Sequence, residues 1–238
     1  MNLSKVVVII LGILLIILII SAFKKKSSTL TTEQDGKIQT IIPNSQLDKS
    51  SNTNSNYSYS VWFYIDDWTY KYGQEKVILT MADSVNNYSP KISLGAFQND
   101  LNVSIMTYPD SLNTDASNTS QTFNCAIKNI PIQSWANVLI SVNNRVLDLY
   151  LDGKLVRTCV MPGIAKIINN APLIITPQGG FSGSTSHIEY WGYSKNPQEA
   201  WNIYKKGNGG SLFGNISNKY RVKLSFLNDN TESASISI

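Results

Sequence analysis

The chain has 238 residues, 42% of them hydrophobic, with 20 Lys and Arg against 16 Asp and Glu, one His and two Cys. The excess of four positive charges lies in Lys5, Lys24, Lys25 and Lys26, so from Ser27 onward 16 bases balance 16 acids. A neutral body lacks the basic face that DNA or RNA binding needs, and the His and Cys count excludes zinc-finger and multi-His metal sites.

Residues 6–23 read VVVIILGILLIILIISAF, interrupted only by Gly12 and Ser21. At 1.5 Å per residue they span about 27 Å, close to the hydrocarbon thickness of a thin bilayer. The rival reading is a cleaved signal peptide, with Lys5 as its charged region and Ile20-Ser21-Ala22 as a weak cleavage match. The run is longer than a signal peptide's apolar core, and three lysines follow at once, which favours a retained N-terminal transmembrane helix. Lys24, Lys25 and Lys26 outweigh Lys5, so the positive-inside tendency puts the C-terminal part on the cytosolic side. Residues 1–26 are thus the anchor with its basic flank. The Ser/Thr-rich residues 27–36 read as a polar tether, and a domain follows over residues 37–238.

Within it Ile38, Ile41 and Ile42, ended by Pro43, form a short first strand, and a second polar stretch (DKSSNTNSN) covers residues 48–56. From Tyr57 onward short β-branched and aromatic runs dominate. YSYSVWFYID alternates Tyr57, Tyr59, Val61, Phe63 and Ile65 against Ser58, Ser60, Trp62 and Tyr64. The second face turns apolar midway, as in a strand covered on both sides. KVILTMA (76–82), KISLGAF (91–97) and residues 101–106 continue the pattern. WANVLISV, VLDLYL and KLVRTCV follow as a meander, turned at Asn143-Asn144 and at Asp152-Gly153. Residues 173–176, 186–191 and 220–227 read as later strands. Asn196 as N-cap, Pro197 at the first helical position, Glu199 in a capping box and Gly207 as the stop mark one helix, expected across an open end or edge of the sheets.

Trp135 leading a strand, the run LDLYLDGKLV, and a late helix before an aromatic- and Gly-rich segment resemble the laminin-G-like, concanavalin A-like jelly roll. The stretch from Cys125 to Trp135, then DGKLVRTC and NPQEAWNIYKKG, is similar to the membrane-anchored versions of this domain in large nucleocytoplasmic DNA viruses. The resemblance covers residues 57–238. It implies an all-β antiparallel jelly-roll sandwich with one short late helix, preceded by the transmembrane helix. The superfamily holds lectins, glycanases and adhesion modules, so the fold does not itself select a function.

Glycanases of this superfamily place clustered carboxylates on one strand, about 5–5.5 Å apart when the enzyme retains configuration. Asp66 and Asp67 are adjacent and point to opposite sides of a strand, and Asp152 belongs to a turn rather than to the strand of Asp148. His187, beside Ser184, Thr185, Ser186 and Glu189, lacks a nucleophile-elbow motif and reads as surface rather than as part of a triad. Calcium, which several laminin-G-like domains bind, would draw on Asp83, Asn86, Asn87, Asp110 and Asp115. No calcium-loop spacing joins them, so no cofactor is expected.

Cys125 and Cys159 flank the meander and can face one another across the sheet. A disulfide is favoured over two buried thiols, because large DNA viruses commonly encode a thiol oxidase. Carbohydrate would stack on exposed rings, and Asp67, Trp68, Tyr70 and Tyr72 alternate aromatic and polar character in one loop. Packing of those rings over the sandwich edge is the competing reading. Trp62, Trp135 and Trp201 are assigned to the core. Sequons at Asn56, Asn87, Asn102, Asn118 and Asn215 matter only if the domain faces a lumen.

The first functional expectation is a non-enzymatic virion protein in a viral inner or endoplasmic-reticulum-derived membrane, linking that membrane to capsid proteins. The alternative is a lectin-type module that binds glycans, and the third a degenerate glycanase. Nucleic acid is not an expected partner.

Overall fold

The alternation of β4 (Tyr57–Asp67) sets the architecture: Tyr57, Tyr59, Val61, Phe63 and Ile65 all enter one core cluster. The computed structural model describes residues 29–47, 55–84, 87–108, 120–168, 170–209, 223–228 and 231–237. The apolar run at 6–23 and Lys24, Lys25 and Lys26 lie outside the described residues, as do Asn86, Asp110, Asp115, Asn118 and Asn215. Among the described residues no helix is long and apolar enough to cross a membrane.

The chain continues from β1 (Thr29–Thr31), β2 (Gln34–Asp35) and β3 (Thr40–Ile42) into β4, β5 (Lys76–Ser84), β6 (Asn87–Leu94), β7 (Leu101–Thr107) and β8 (Gln121–Ile127). It then forms β9 (Trp135–Asn143), β10 (Val146–Leu151), β11 (Lys154–Val160), β12 (Leu173–Ile175), β13 (Ser182–Trp191) and helix α1 (Pro197–Lys205). A hairpin of β14 (Lys223–Asn228) and β15 (Thr231–Ser237) closes the described chain.

Two antiparallel sheets face each other. The first runs β1-β13-β4-β9-β10-β11, with β2 also on β13, and the second runs β3-β12-β5-β6-β7-β8. Between them pack Val61, Phe63, Ile92, Leu94, Val103, Ile105, Val138, Ile140, Leu147, Leu149 and Leu173, none more than 1% exposed. The meander forms as its turn residues dictate. Asn144 takes φ 53°, and Asp152 and Gly153 take 49° and 73°, the left-handed pair of a tight hairpin. Asp152 Oδ1 also accepts from Asn137 N at 2.8 Å, so this carboxylate closes the hairpin end.

Helix α1 forms where its caps predict it. Asn196 Oδ1 accepts from Glu199 N at 2.9 Å and Glu199 Oε2 accepts from Asn196 N at 3.0 Å. Its place differs from the expectation: it lies on the outer face of the first sheet, where Ala200 and Ile203 pack on Leu139 and Tyr150. The outward row of β9 and β10 is apolar there and needs a cover.

Three other expectations are corrected. Residues 27–36, read as a tether, supply β1 and β2, whose backbones pair with β13 at Thr29↔Glu189 and Thr185↔Gln34. An edge strand needs backbone pairing more than an apolar face, which is why Ser/Thr-rich composition hides it. Of the three tryptophans assigned to the core, Trp62 is buried outside it, stacked on Tyr204 of α1 at 5.5 Å. Trp135 is half-buried against Tyr64 and Trp201 is 38% exposed. Finally, Cys125 and Cys159 are bonded, but from β8 to β11, the edge strands of opposite sheets, so the bond staples the sandwich instead of crossing one sheet.

Candidate functional site

The loop between β4 and β5 does not gather its aromatic rings into one platform. Trp68 is half-buried, with Lys76 Nζ 4.5 Å from its ring centroid and its Nε1 donating to Phe97 O at 3.4 Å. Burial holds the ammonium of Lys76, only 1% exposed, below its ordinary pKa. Tyr70 turns the other way and donates its hydroxyl to Gly179 O at 3.0 Å, while Lys71 Nζ donates to Gln178 O. Tyr72 alone stands out at 62% exposure, edge-to-face with Phe97, whose ring is 64% exposed. Asp67 Oδ1 accepts from Thr69 Oγ1 at 2.7 Å and Thr69 N at 2.8 Å. Those bonds hold its carboxyl below the usual carboxylate range and make it a turn cap. Of the four proposed sugar contacts, Tyr72 is therefore presented, and Trp68, Tyr70 and Asp67 brace the loop.

What the loop braces is a groove. Tyr70 and Lys71 hold the turn at residues 177–180, and that turn walls a depression of about 300 Å³ on the outer face of the second sheet. Its floor follows from register: Ile174, Thr80 and Lys91 are cross-strand neighbours on β12, β5 and β6. Tyr88, half-buried on β6, supplies an aromatic ring beside Pro177 and Ile174. Lys91 Nζ sits 4.7 Å from that ring's centroid and 2.9 Å from Glu75 Oε2, and Ser93 Oγ donates to Glu75 Oε1 at 2.7 Å. Asp83 accepts from Asn87 Nδ2 at 2.6 Å on the groove's other flank. Apolar and aromatic walls with a few fixed polar groups are what a pyranose needs: C–H faces against the ring, hydroxyls on the charges.

Sequence reasoning misses Tyr88, Glu75 and Lys91. The alternation of Lys91 and Ser93 against Ile92 and Leu94 is the signal that marks a polar sheet face there.

The other candidates are not assembled for chemistry. His187 takes φ 46° at a bulge, with Nε2 3.7 Å from Glu189 Oε2 and 3.5 Å from Thr29 Oγ1. Ser186 Oγ donates to Asn208 O at 2.6 Å, so it is not paired with the imidazole. Among the described residues no group of three or more His, Cys, Asp or Glu side chains is placed to hold a metal.

Similar architecture recurs in proteins of distant sequence. The receptor binding domain of botulinum neurotoxin C/D mosaic serotype superposes with TM-score 0.55 at 10% identity, over 77% of this chain and 44% of that one. The serotype D ligand binding domain in complex with N-acetylneuraminic acid gives 0.54 at 11%, over 77% and 44%. The binding domain of Paraclostridial Mosquitocidal Protein 1 gives 0.52 at 15%, over 73% and 42%. This chain thus spans less than half the length of these chains, and the likeness is one of fold. Comparison with curated protein sequences finds no match. Residues 35–200 match the Laminin_G_3 family description, and the chain belongs to the concanavalin A-like lectin/glucanases superfamily.

Proposed function

We propose that this chain is a membrane-anchored, lectin-type module that binds glycan in the groove beside Tyr88 and acts by binding alone. The observation that carries the reading is the groove itself: an aromatic ring, an apolar wall and a Glu75–Lys91 pair held by sheet register. The likeness of fold to receptor binding domains, one in complex with N-acetylneuraminic acid, supports it. Glycan-array binding followed by calorimetry tests it. The wild-type chain binds, and Tyr88→Ala weakens the strongest glycan at least tenfold with no loss of fold. A folded chain that binds no glycan, or an unaffected Tyr88→Ala, overturns the site. Release of reducing sugar overturns the non-enzymatic part.

The virion-linker reading keeps one supporting observation. Only residues 24–28 separate the apolar run from β1, a reach of about 20 Å at full extension. With the run inserted in a viral or endoplasmic-reticulum-derived membrane, the sandwich sits close to it. β1 runs from the Glu189 end toward the Ser182 end of β13, where the Tyr72–Phe97 loops lie, so these loops are at the opposite end of the sandwich from Thr29 and available to a capsid layer. Crosslinking from position 72 to capsid subunits in intact particles supports this role, and crosslinks confined to lipid-side proteins exclude it.

A further inference from the structure

The end of the sandwich opposite the Tyr72 loop carries an apolar corner. β11 finishes there at Val160, 69% exposed, and the chain turns through the exposed Pro162 to Ile164, 46% exposed. Tyr108, just past β7 and 50% exposed, joins the same corner: its N donates to Ile164 O at 2.9 Å, and Thr107 bridges to Ala165. Gly163 lets the two segments close up, because a Cβ there would stand 1.9 Å from Tyr108 O. Arg145 clasps the turn, donating from Nε to Met161 O at 3.2 Å and from Nη2 to Pro162 O at 2.7 Å. Lys166, half-buried, donates to Asn87 Oδ1 at 3.0 Å. These bonds order the corner and leave its apolar side chains open. Exposed apolar residues with a tyrosine and two flanking cations suit a bilayer interface, where Tyr rings sit at headgroup depth and Arg and Lys reach the phosphates.

The start of β1 lies at the same end. Thr29 pairs with Glu189, two residues from the Trp191 end of β13, and β1 runs away from that end. Register carries this end across the first sheet: Trp191 pairs with Ser58, Tyr57 with Val142, and Val146 with both Asn143 and Val160. Five strand spacings of about 4.8 Å separate β1 from β11, so the corner stands about 24 Å to the side of Thr29. Only residues 24–28 lie between Thr29 and the apolar run at 6–23, about 20 Å at full extension. A bilayer that holds this run is always within that reach of the Thr29 end. Contact of the corner with it is then an intramolecular event, for which a few side chains suffice.

We infer that the corner of Tyr108, Val160, Pro162 and Ile164 rests on the lipid headgroups of the bilayer that holds residues 6–23, giving the domain a second point of attachment. The inference rests on the membrane-anchored reading of that run and adds a stance to it. Val160, Pro162 and Ile164 enter the headgroup boundary, the Tyr108 ring lies along it, and Arg145 meets the phosphates. The groove beside Tyr88, on the outer face of the second sheet, then opens sideways along the membrane.

The test is photo-crosslinking of the full chain reconstituted in phosphatidylcholine vesicles. A photoreactive side chain is placed at position 164 or, at the opposite end, at position 72, both exposed and apolar in the native chain. Position 164 crosslinks lipid at least fivefold more than position 72. Val160→Asp with Ile164→Asp, read from a photoreactive side chain at position 108, lowers the lipid yield at least fivefold, while the chain still floats with the vesicles and melts as the wild type does in detergent. If the double variant fails to fold, the ratio between positions 164 and 72 decides. Equal lipid yields from those two positions, an unchanged yield from the folded double variant, or crosslinks from position 164 to a second copy of the chain in place of lipid overturn the corner and leave the anchor standing. A chain that does not float with the vesicles overturns both.

Discussion

The two sheets put their outer faces to opposite uses. On the first, Ser58, Ser60, Asn137 and Ser141 are all buried, and their hydroxyls and the Asn137 amide nitrogen are consumed by structure. Lys195 N donates to Ser58 Oγ at 3.0 Å and Ser141 Oγ at 2.8 Å, and Asn137 Nδ2 donates to Ser60 Oγ at 2.9 Å. Beside them Leu139 and Tyr150 lie under α1, and burial pushes the Tyr150 phenol up to about 12. On the second sheet the outward row is just as polar, but Lys91, Glu75 and Tyr88 surround open space. Polar residues on a strand therefore do not reveal by themselves whether they serve folding or recognition. The neighbour that covers them decides, and it comes from elsewhere in the chain.

The largest expected effect falls on what holds the two faces in one body. Closing a loop across 34 positions, the Cys125–Cys159 bond contributes about 3–4 kcal/mol in the chain-entropy account. Reduction, or Cys125→Ser with Cys159→Ser, lowers the denaturant midpoint accordingly and weakens glycan binding only as far as the chain unfolds. A groove that is lost while the fold survives would show that the sheets' relative placement, rather than β5, β6 and β12 alone, builds it.

The contrast itself is tested by paired truncations. Ile203→Ala removes a 4% exposed side chain beneath α1 and costs about 2–4 kcal/mol in unfolding free energy. Ile174→Ala, on the half-buried groove wall, costs less than about 1 kcal/mol and registers mainly in glycan affinity. Equal costs would mean that the second face is covered too. A smaller effect is expected at the helix start, where Asn196→Ala removes the N-cap and costs about 1 kcal/mol in chemical denaturation.

Elements whose signals are local are legible in the amino-acid order itself. The capping box at Asn196 and Glu199, the Asp152-Gly153 turn and the alternation of β4 each depend on residues a few positions apart. The position of α1 is not legible there, because it depends on β4, β9 and β10 lying side by side, a pairing of segments some 80 residues apart. The same holds for the groove. Tyr88 and Ile174 meet only through the register of β12, β5 and β6. The aromatic loop is visible as a motif, but Phe97 and Gly179, from two distant loops, decide which of its rings is displayed. The cysteine pair is legible too, whereas its role as an inter-sheet staple is not. Proximity in sequence places Cys125 beside the meander, while pairing with β7 carries it to the opposite sheet.

The smallest expected effect distinguishes the faces by pH. Burial alone would raise the pKa of Glu199, but the bond from Asn196 N and the Lys195 ammonium at 2.9 Å hold its carboxyl below the usual value. A carboxyl depressed on folding binds its proton more tightly in the unfolded chain. Its stabilisation is therefore fully present above the ordinary glutamate range and fades as pH falls through the lower, folded-state value. Glu199→Gln should lower the melting temperature slightly at pH 7 and converge on the wild type as the medium becomes strongly acidic. The effect is modest because the side chain is 35% exposed and screened by water. Because this carboxylate caps α1, its protonation loosens the cover of the first sheet and leaves the groove on the second unchanged. Fluorescence of Trp201 on α1 should then respond before Tyr88-dependent glycan affinity does. Simultaneous loss of both signals would mean that the covered face and the open face are not separate after all.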